Sequence, residues 1–297
     1  MVTDPHLPGW LAREYPFGTG AFITPRAARM SYLDEGPRSD EAVLMLHGNP
    51  TWSFFYRNLV RELTVAGFRC VVPDHVGMGL SEKPEDYEYT LETRIADIEA
   101  LVAALGLKRV HLVVHDWGGA IGFGFAGRRP DLIGKIVILN TAAFFSDEIP
   151  LPIAICTWPW VGPLLVRGFN GFARPATRMS MHRGRLTSDE KAGFLFPYDS
   201  WANRVGIDAF VRDIPRTQFH PTWTTLTHVA AGLPQFRDRP ILIVWGGKDF
   251  CFTDHFLHRW QDILPEAQVE RIADAGHYVL EDAPEAIPLI KKHLLAN

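Results

Sequence analysis

Short runs of apolar residues alternate along the chain with longer stretches in which apolar residues recur every three or four positions. The apolar runs predict buried strands over residues 42–47, 69–72, 110–114, 135–139, 240–245 and 268–272. The periodic stretches predict amphipathic helices over 54–66, 91–105, 118–127 and 254–263, with a last helix after Pro284. A looser alternation over 22–34 is typical of an antiparallel edge hairpin. The whole pattern predicts an α/β fold with a mostly parallel central sheet flanked by helices.

The alternation lapses over residues 145–228, a segment rich in aromatic residues and proline. We therefore expect one α/β core, made of residues 1–144 and 229–297, that is interrupted by an insertion over 145–228. Within the insertion, residues 149–166 (IPLPIAICTWPWVGPLLV) carry no charge. Their four prolines are incompatible with a lipid-exposed spanning helix. The stretch predicts a wall or cover for an apolar cavity, with contact to a membrane surface as the alternative.

Composition and charge exclude several classes of protein. With 47% hydrophobic and 22% charged residues in 297, the chain has ordinary globular usage and is not disordered. A net charge of −4 without a basic run argues against nucleic acid as a partner. Three cysteines without a C-x-x-C motif argue against a disulfide scaffold and fit a reducing compartment. Residues 1–20 lack the pattern of a signal peptide, so we expect a cytoplasmic protein.

Residues with a chemical use follow the predicted strands, at the edge where parallel sheets bind ligands. Asp116 stands between a strand and a glycine-rich helix start, the setting of a nucleophile elbow. Free N–H groups and the helix dipole stabilise an anion there. Such a carboxylate is suited to displacing a leaving group from an sp³ carbon, which produces an alkyl ester on the enzyme. The structural alternative is that Asp116 only caps the following helix.

A base and an acid follow later in the chain. His277 can deprotonate a water molecule that attacks such an ester. The chain order Asp116, Asp249, His277 is the nucleophile–acid–base order of α/β-hydrolases. Asp249 would orient the imidazole and stabilise its cation, and Asp254 is the rival for this role.

Hydrogen-bond donors are expected beside the nucleophile. The side-chain amide of Asn49 and the indole of Trp117 both present N–H groups that can receive a departing anion. The backbone N–H groups of the same two residues can hold an oxyanion during ester hydrolysis. Simple core filling is the alternative for Trp117.

Five stretches of the chain resemble the haloalkane dehalogenases of the α/β-hydrolase superfamily. They are HGNPTWSFFYR (47–57), PDHVGMGLSEKP (73–84), VHDWGGAIGFGFA (114–126), WGGKDF (245–250) and DAGHYVLEDAPE (274–285). The resemblance implies an α/β-hydrolase fold whose insertion is a helical cap over an apolar cavity. It also implies Asp116 as nucleophile, Asp249 and His277 as acid and base, and Asn49 with Trp117 as a halide-binding pair. It implies an enzyme without a cofactor.

The combination of Asn49 with Asp249 resembles the third branch of that family, which also holds the β-lactone decarboxylases of long-chain olefin synthesis. Other members place the acid as Glu after the strand at 135–139, where this chain has Asn140 and Thr141. LNTAAF (139–144), YDSWANR (198–204) and RDIP (212–215) are similar to the decarboxylase group. Two activities therefore stay open. The leading expectation is cleavage of the carbon–halogen bond of an apolar alkyl substrate to alcohol and halide, because the donors of Asn49 and Trp117 suit a departing halide. The alternative is decarboxylation of a cis-β-lactone by the same residues.

Other functions fit less well. An epoxide hydrolase would be expected to offer two cap tyrosines, and residues 145–228 contain only Tyr198. A fluoroacetate dehalogenase would need arginines just after Asp116, and this chain has Trp-Gly-Gly-Ala there. A coelenterazine luciferase has a related core and stays open as a function. A non-catalytic binding protein would usually have lost a member of the triad, whereas this chain keeps Asp116, Asp249 and His277. The G-x-G-x-x-G run over 122–127 begins inside a helix, so it does not fit a dinucleotide site.

The expected partner is a small apolar substrate, without nucleic acid and without an integral membrane segment. Self-association or a complex with another enzyme of the pathway stays open. His255 and His258 beside Asp254 lack a convincing third metal ligand. Aromatic residues of the insertion are candidates for completing the anion site, namely Trp158, Trp160, Phe169, Phe172, Trp201 and Trp223.

Overall fold

A computed structural model describes residues 7–296. Residues 1–6 and Asn297 lie outside the described residues. The first six belong to the predicted core and to the segment without a signal-peptide pattern. The described strands are β1 (Thr19–Ile23), β2 (Arg29–Glu35), β3 (Glu41–Leu46), β4 (Cys70–Pro73), β5 (Arg109–Asp116), β6 (Ile133–Thr141), β7 (Ile241–Gly246) and β8 (Gln268–Ile272). They form one sheet in the order β1-β2-β4-β3-β5-β6-β7-β8. Strand β2 pairs antiparallel with both neighbours, and every other pair is parallel. The predicted parallel sheet and its edge hairpin are confirmed.

Helices cover both faces of this sheet. In chain order they are α1 (Gly9–Glu14), α2 (Arg57–Val65), α3 (Leu91–Ala104), α4 (Trp117–Arg128), α5 (Leu151–Cys156), α6 (Val161–Pro163), α7 (Ala173–Met179), α8 (Ser188–Leu195), α9 (Val205–Arg212), α10 (Trp223–Gly232), α11 (Asp254–Ile263), α12 (Val279–Asp282) and α13 (Ala286–Leu295). Short 3-10 turns occupy Ser53–Tyr56, Pro130–Leu132, Ala202–Arg204 and Leu233–Phe236, and a π turn occupies Leu164–Gly168. The fold is that of an α/β-hydrolase.

The sequence explains why the central elements form as they do. Strands β3, β5 and β6 read as nearly continuous apolar runs because helices bury both faces of a parallel sheet. Helix α3 begins where the hydroxyl of Thr90 accepts the N–H of Thr93 at 3.3 Å, and it ends before Gly106, whose φ is +65°. The G-x-G-x-x-G run over 122–127 lies inside α4, which packs against α3 and α10.

The described part of the insertion contains helices and no strand. The uncharged stretch over 149–166 is divided among α5, α6 and the beginning of the π turn. Across residues 7–296, every helix is too short or too polar to cross a membrane. Helix α10 runs through residue 228, the predicted end of the insertion, and packs against α3 and α4. The division of the chain into a core and a separate cap stays a prediction.

Candidate active site

Asp116 sits on a sharp turn between β5 and α4. Its φ of +52° and ψ of −128° are rare for a residue with a side chain, and α4 begins at the next residue, Trp117. Two glycines make this turn possible. A Cβ on Gly118 would collide with the carbonyl of Leu46, and one on Gly48 would collide with the Asp116 carboxylate. The close packing fixes the carboxylate at the carboxyl end of the sheet.

His277 lies between the two predicted carboxylates. Its Nδ1–H donates to Oδ2 of Asp249 at 2.7 Å, and its Nε2 lies 3.7 Å from Oδ2 of Asp116. The other oxygen of Asp249 accepts the N–H of Cys251 at 2.7 Å, which fixes the orientation of the acid. All three triad residues are buried. The structure thus brings together the predicted triad, with Asp116 too far from the imidazole for a direct hydrogen bond.

The two charges in this pair support each other. Burial lowers the pKa of His277, but Asp249 and then Asp116 outweigh it, so that pKa is raised above its usual range. Burial raises the pKa of Asp116, and His277 together with the N–H groups of Asn49 and Trp117 opposes the rise. A charged Asp116 therefore stabilises a protonated His277, and a protonated His277 stabilises a charged Asp116. If Asp116 became an ester, its support for the imidazolium charge would be lost.

Hydrogen-bond donors surround the Asp116 carboxylate. The backbone N–H of Asn49 donates to Oδ1 of Asp116 at 2.6 Å. The side-chain amide of Asn49 donates to the carbonyl of Ile207 at 3.2 Å, which leaves its second N–H available. Its amide oxygen is buried and has no hydrogen-bond partner among the described residues. Trp117 lines the same cavity as Asn49 and Asp116, with its ring 5.5 Å from that of Phe210.

A largely apolar cavity of about 910 Å³, its opening included, lies over these groups. Its lining comprises Asn49, Asp116, Trp117, Ala120, Ala142, Phe144, Phe145, Ser146, Glu148, Ile149, Pro150, Ile153, Phe172, Val211, Ile214, Pro215, Leu226, Cys251, Phe252 and Phe256. Residues that follow strands therefore share one space with residues of the insertion. A cavity of this size and polarity suits an apolar ligand with one reacting polar group.

The aromatic candidates of the insertion divide into three groups. Phe172 lines the cavity. Trp158, Trp160, Phe169 and Trp201 are exposed to solvent and lie outside the cavity lining. Trp223 packs against Phe145, with 4.2 Å between ring centroids. The structure therefore brings one of the six candidates to the site.

Two alternative assignments place their residues elsewhere. The carboxylate of Asp254, the rival acid, binds the guanidinium of Arg271 at 2.7 and 2.9 Å. Tyr198 is buried, and its hydroxyl accepts the N–H of Gly79 at 3.3 Å instead of reaching the cavity lining. Within residues 7–296, no group of three or more metal-binding side chains meets the geometry of a metal site.

Sequence reasoning missed residues that hold the site in place. His115 donates through Nε2 to the carbonyl of His277 at 3.0 Å. The side-chain amide of Asn140 donates to the carbonyl of Gly246 at 3.1 Å and accepts its N–H at 2.8 Å, which ties β6 to β7 near Asp249. Asn140 stands where other family members are expected to carry the acid. Its role was not visible because a backbone-clamping amide has no local sequence signal.

Comparison with known proteins shows the family to which the chain belongs. Residues 41–284 match the alpha/beta hydrolase fold family. The chain is 45% identical to the cis-3-alkyl-4-alkyloxetan-2-one decarboxylase of Shewanella oneidensis, over 93% of this chain and 88% of that protein. It is 31% identical to haloalkane dehalogenase 2 of Mycobacterium bovis, over 97% of this chain and 96% of that protein. The solved structure of haloalkane dehalogenase DbeA from Bradyrhizobium elkani matches with a TM-score of 0.81 at 26% identity, covering 95% of this chain and 100% of that one. The chain therefore belongs to the haloalkane dehalogenase-type branch of the α/β-hydrolase fold family, and it is an enzyme.

Proposed function

We propose that this enzyme decarboxylates cis-3-alkyl-4-alkyloxetan-2-ones, which are β-lactones, to carbon dioxide and an alkene. The observation that carries the proposal is the carboxyl group of Asp116, which lines a largely apolar cavity and lies 3.7 Å from Nε2 of His277. The relative with this activity is 45% identical, against 31% for the dehalogenase, which favours the lactone over a haloalkane as substrate.

The first step forms an alkyl ester on Asp116. The backbone N–H of Asn49 holds Oδ1, so we assign the attack to Oδ2. This oxygen bonds to C4 of the lactone ring from the side opposite the ring oxygen. The C4–O bond breaks, and its electron pair stays on the former ring oxygen. This oxygen becomes part of a carboxylate that is bonded to C3. The configuration at C4 inverts.

The second step breaks that ester without water. The C2–C3 bond breaks to release carbon dioxide, and its electron pair forms the C3=C4 double bond. The bond from C4 to the Asp116 oxygen breaks, and the aspartate carboxylate is restored. Inversion followed by anti elimination converts a cis lactone to a cis alkene. No proton, oxidant or water is consumed, so the two steps balance.

His277 acts in this scheme as a cation. Its imidazolium stabilises the lactone carboxylate as it forms and the Asp116 carboxylate as it leaves. Asp249 keeps the imidazole charged through the hydrogen bond to Nδ1. Asp116 loses its negative charge on alkylation, and the lactone carboxylate gains one in the same step. A negative charge therefore stays near the imidazolium and stabilises it throughout.

Haloalkane dehalogenation is the second candidate, and the donors beside Asp116 favour it. The free N–H of the Asn49 amide and the indole N–H of Trp117 can receive a halide. Asp116 would displace the halide, and His277 would then deprotonate a water that attacks the ester carbonyl. The products would be the alcohol, the halide and a proton.

Product analysis tests the proposal. A long-chain cis-β-lactone and the matching 1-bromo- and 1-iodoalkanes are incubated with the same enzyme stock, beside an Asp116→Asn variant. We expect rapid cis-alkene formation from the lactone, slow halide release, and at least a ~10³-fold loss of both in the variant. Halide and alcohol without alkene would overturn the decarboxylase in favour of the dehalogenase. Full activity of the variant would overturn both.

A further inference from the structure

Six large apolar side chains on residues 151–169 face solvent. They are Leu151, Trp158, Trp160, Val161, Leu164 and Phe169, and we refer to them as the outer apolar surface. Their exposure ranges from 40% for Val161 to 89% for Trp160. None of the six lines the catalytic cavity. Soluble domains seldom concentrate so much exposed apolar surface in one short segment unless it meets another surface.

The outer apolar surface is one compact piece of structure. The N–H of Gly162 donates to the carbonyl of Trp158 at 2.8 Å, which winds the segment into consecutive short helical turns. The side chains of Leu164 and Trp201 both lie against Gly168, and the ring of Trp201 is itself 47% exposed. The apolar surface therefore continues from the segment to a neighbouring aromatic side chain.

Trp160 has an unusual backbone conformation. Its φ is +67°, a value that a bulky side chain adopts at a cost, and its ring is the most exposed of the six. Such conformations persist mainly where the placement of the side chain serves a function. Here the strained residue holds an indole outward, into solvent.

The catalytic cavity adjoins this surface at α5. Pro150 and Ile153 line the cavity, while Leu151 between them is 72% exposed on the outside of α5. One short helix therefore separates the outer apolar surface from the cavity.

The charge of the insertion differs from that of the whole chain. Residues 145–228 contain nine Lys and Arg against seven Asp and Glu, whereas the whole chain contains 30 against 34. Arg216 reaches the edge of the surface, where its guanidinium lies 3.4 Å from the hydroxyl of Thr157, next to Trp158. Indole rings beside a cation are the side chains that favour a membrane–water interface with anionic headgroups.

We propose that the outer apolar surface docks on a lipid bilayer that contains anionic lipids. The indoles of Trp158 and Trp160 enter the headgroup region, while Arg216 faces lipid phosphates. The protein lies on the membrane without spanning it. An apolar substrate dissolved in the bilayer then meets the enzyme at α5, next to the cavity; this last point rests on the proposed function.

Vesicle flotation tests the docking without any substrate. The full-length protein is mixed with vesicles of phosphatidylglycerol and phosphatidylethanolamine, or with phosphatidylcholine vesicles, at 0.1 M salt. We expect the wild type to float with the anionic vesicles and less with phosphatidylcholine. Trp158→Ser combined with Trp160→Ser should lower the partition coefficient at least about tenfold, because two indoles lose their apolar contact.

Val65→Ser is the matched control. Val65 is 86% exposed on α2 of the core, so its substitution should leave flotation unchanged. Thermal melts of all variants establish that they are folded. Equal flotation of wild type and the double variant, or no flotation of the wild type, would overturn the proposal. A third outcome would also overturn it. In this outcome the wild type binds no vesicles but self-associates in sedimentation experiments, and the double variant does not self-associate. Because the assay contains no substrate, failure of the proposed decarboxylation would leave its result unaffected.

Discussion

At the scale of single residues, the chemistry depends on where one proton resides. Asp249 holds Nδ1 of His277 at 2.7 Å, while Asp116 faces Nε2 at 3.7 Å. The two carboxylates raise the pKa of His277 against the effect of burial. Decarboxylation as proposed needs the imidazolium, whereas hydrolysis of an ester needs a neutral imidazole. The protonation state of one side chain therefore distinguishes the two reactions.

This leads to a prediction for the pH dependence. The charged form of His277 predominates below its raised pKa and is lost as pH rises through that value, so alkene formation should decline over the same interval. Asp249→Asn removes the largest influence that raises this pKa. We expect the declining limb of kcat against pH to move to lower pH.

Asp254→Asn supplies the control for this measurement. Asp254 was the rival acid in the sequence, but its carboxylate binds Arg271. Its substitution should leave the limb in place. A limb that stays fixed in Asp249→Asn, or moves equally in both variants, would contradict the assignment of Asp249 as the partner of His277.

At the scale of elements, one carboxylate joins the turn that carries His277 to the insertion. Asp282, at the end of α12, accepts the N–H of Gly276 at 2.7 Å. The same side chain accepts the N–H groups of His182 at 2.8 Å and Arg183 at 3.0 Å. The turn that carries His277 is thus tied to a loop of the insertion roughly a hundred residues earlier in the chain.

Removing this carboxylate should destabilise the protein. Asp282→Ala leaves four backbone N–H groups without their acceptor, that of Gly184 included, so we expect the free energy of unfolding to fall by about 3 kcal/mol, measured by urea denaturation. Asp282→Asn keeps one oxygen acceptor and should lose less. Asp262→Ala, at an exposed position of α11, should change stability by under ~0.5 kcal/mol. Equal stabilities of Asp282→Ala and Asp262→Ala would contradict this role.

The elements themselves were largely predictable. Helix α11 spans the residues 254–263 that its periodicity predicts, and β8 spans the predicted 268–272. Boundaries shifted where tertiary structure prevailed over the local pattern. β5, for instance, continues beyond the predicted 110–114 to Asp116, because His115 and Asp116 still pair with β6 after the pairing with β3 has ended at Val114. The π turn at Leu164–Gly168 had no periodic signal that would have indicated it.

At the scale of the whole molecule, the sequence predicted the fold, the residues that meet at the Asp116 site and an apolar cavity beneath the insertion, but not most of the residues that line this cavity. Leu226 lines the cavity although its place in α10 is typical of a core-facing apolar residue. Phe256 is likewise indistinguishable in sequence from core filling. Apolar periodicity reports burial, and it does not tell a packed neighbour from an enclosed space. The cavity wall is assembled from segments far apart in the chain, so only the folded molecule reveals it.

The central claim is that Asp116 attacks an sp³ carbon and becomes an alkyl ester. His277→Phe removes the base that would hydrolyse such an ester while leaving the nucleophile in place. The most direct measurement is the intact mass of this variant after incubation with a 1-iodoalkane, followed by peptide mapping. The account predicts a mass increase of one alkyl group, located on Asp116 and missing from an Asp116→Asn, His277→Phe double variant. Cys251 lines the same cavity, so an adduct on Cys251, or no adduct at all, would contradict the account.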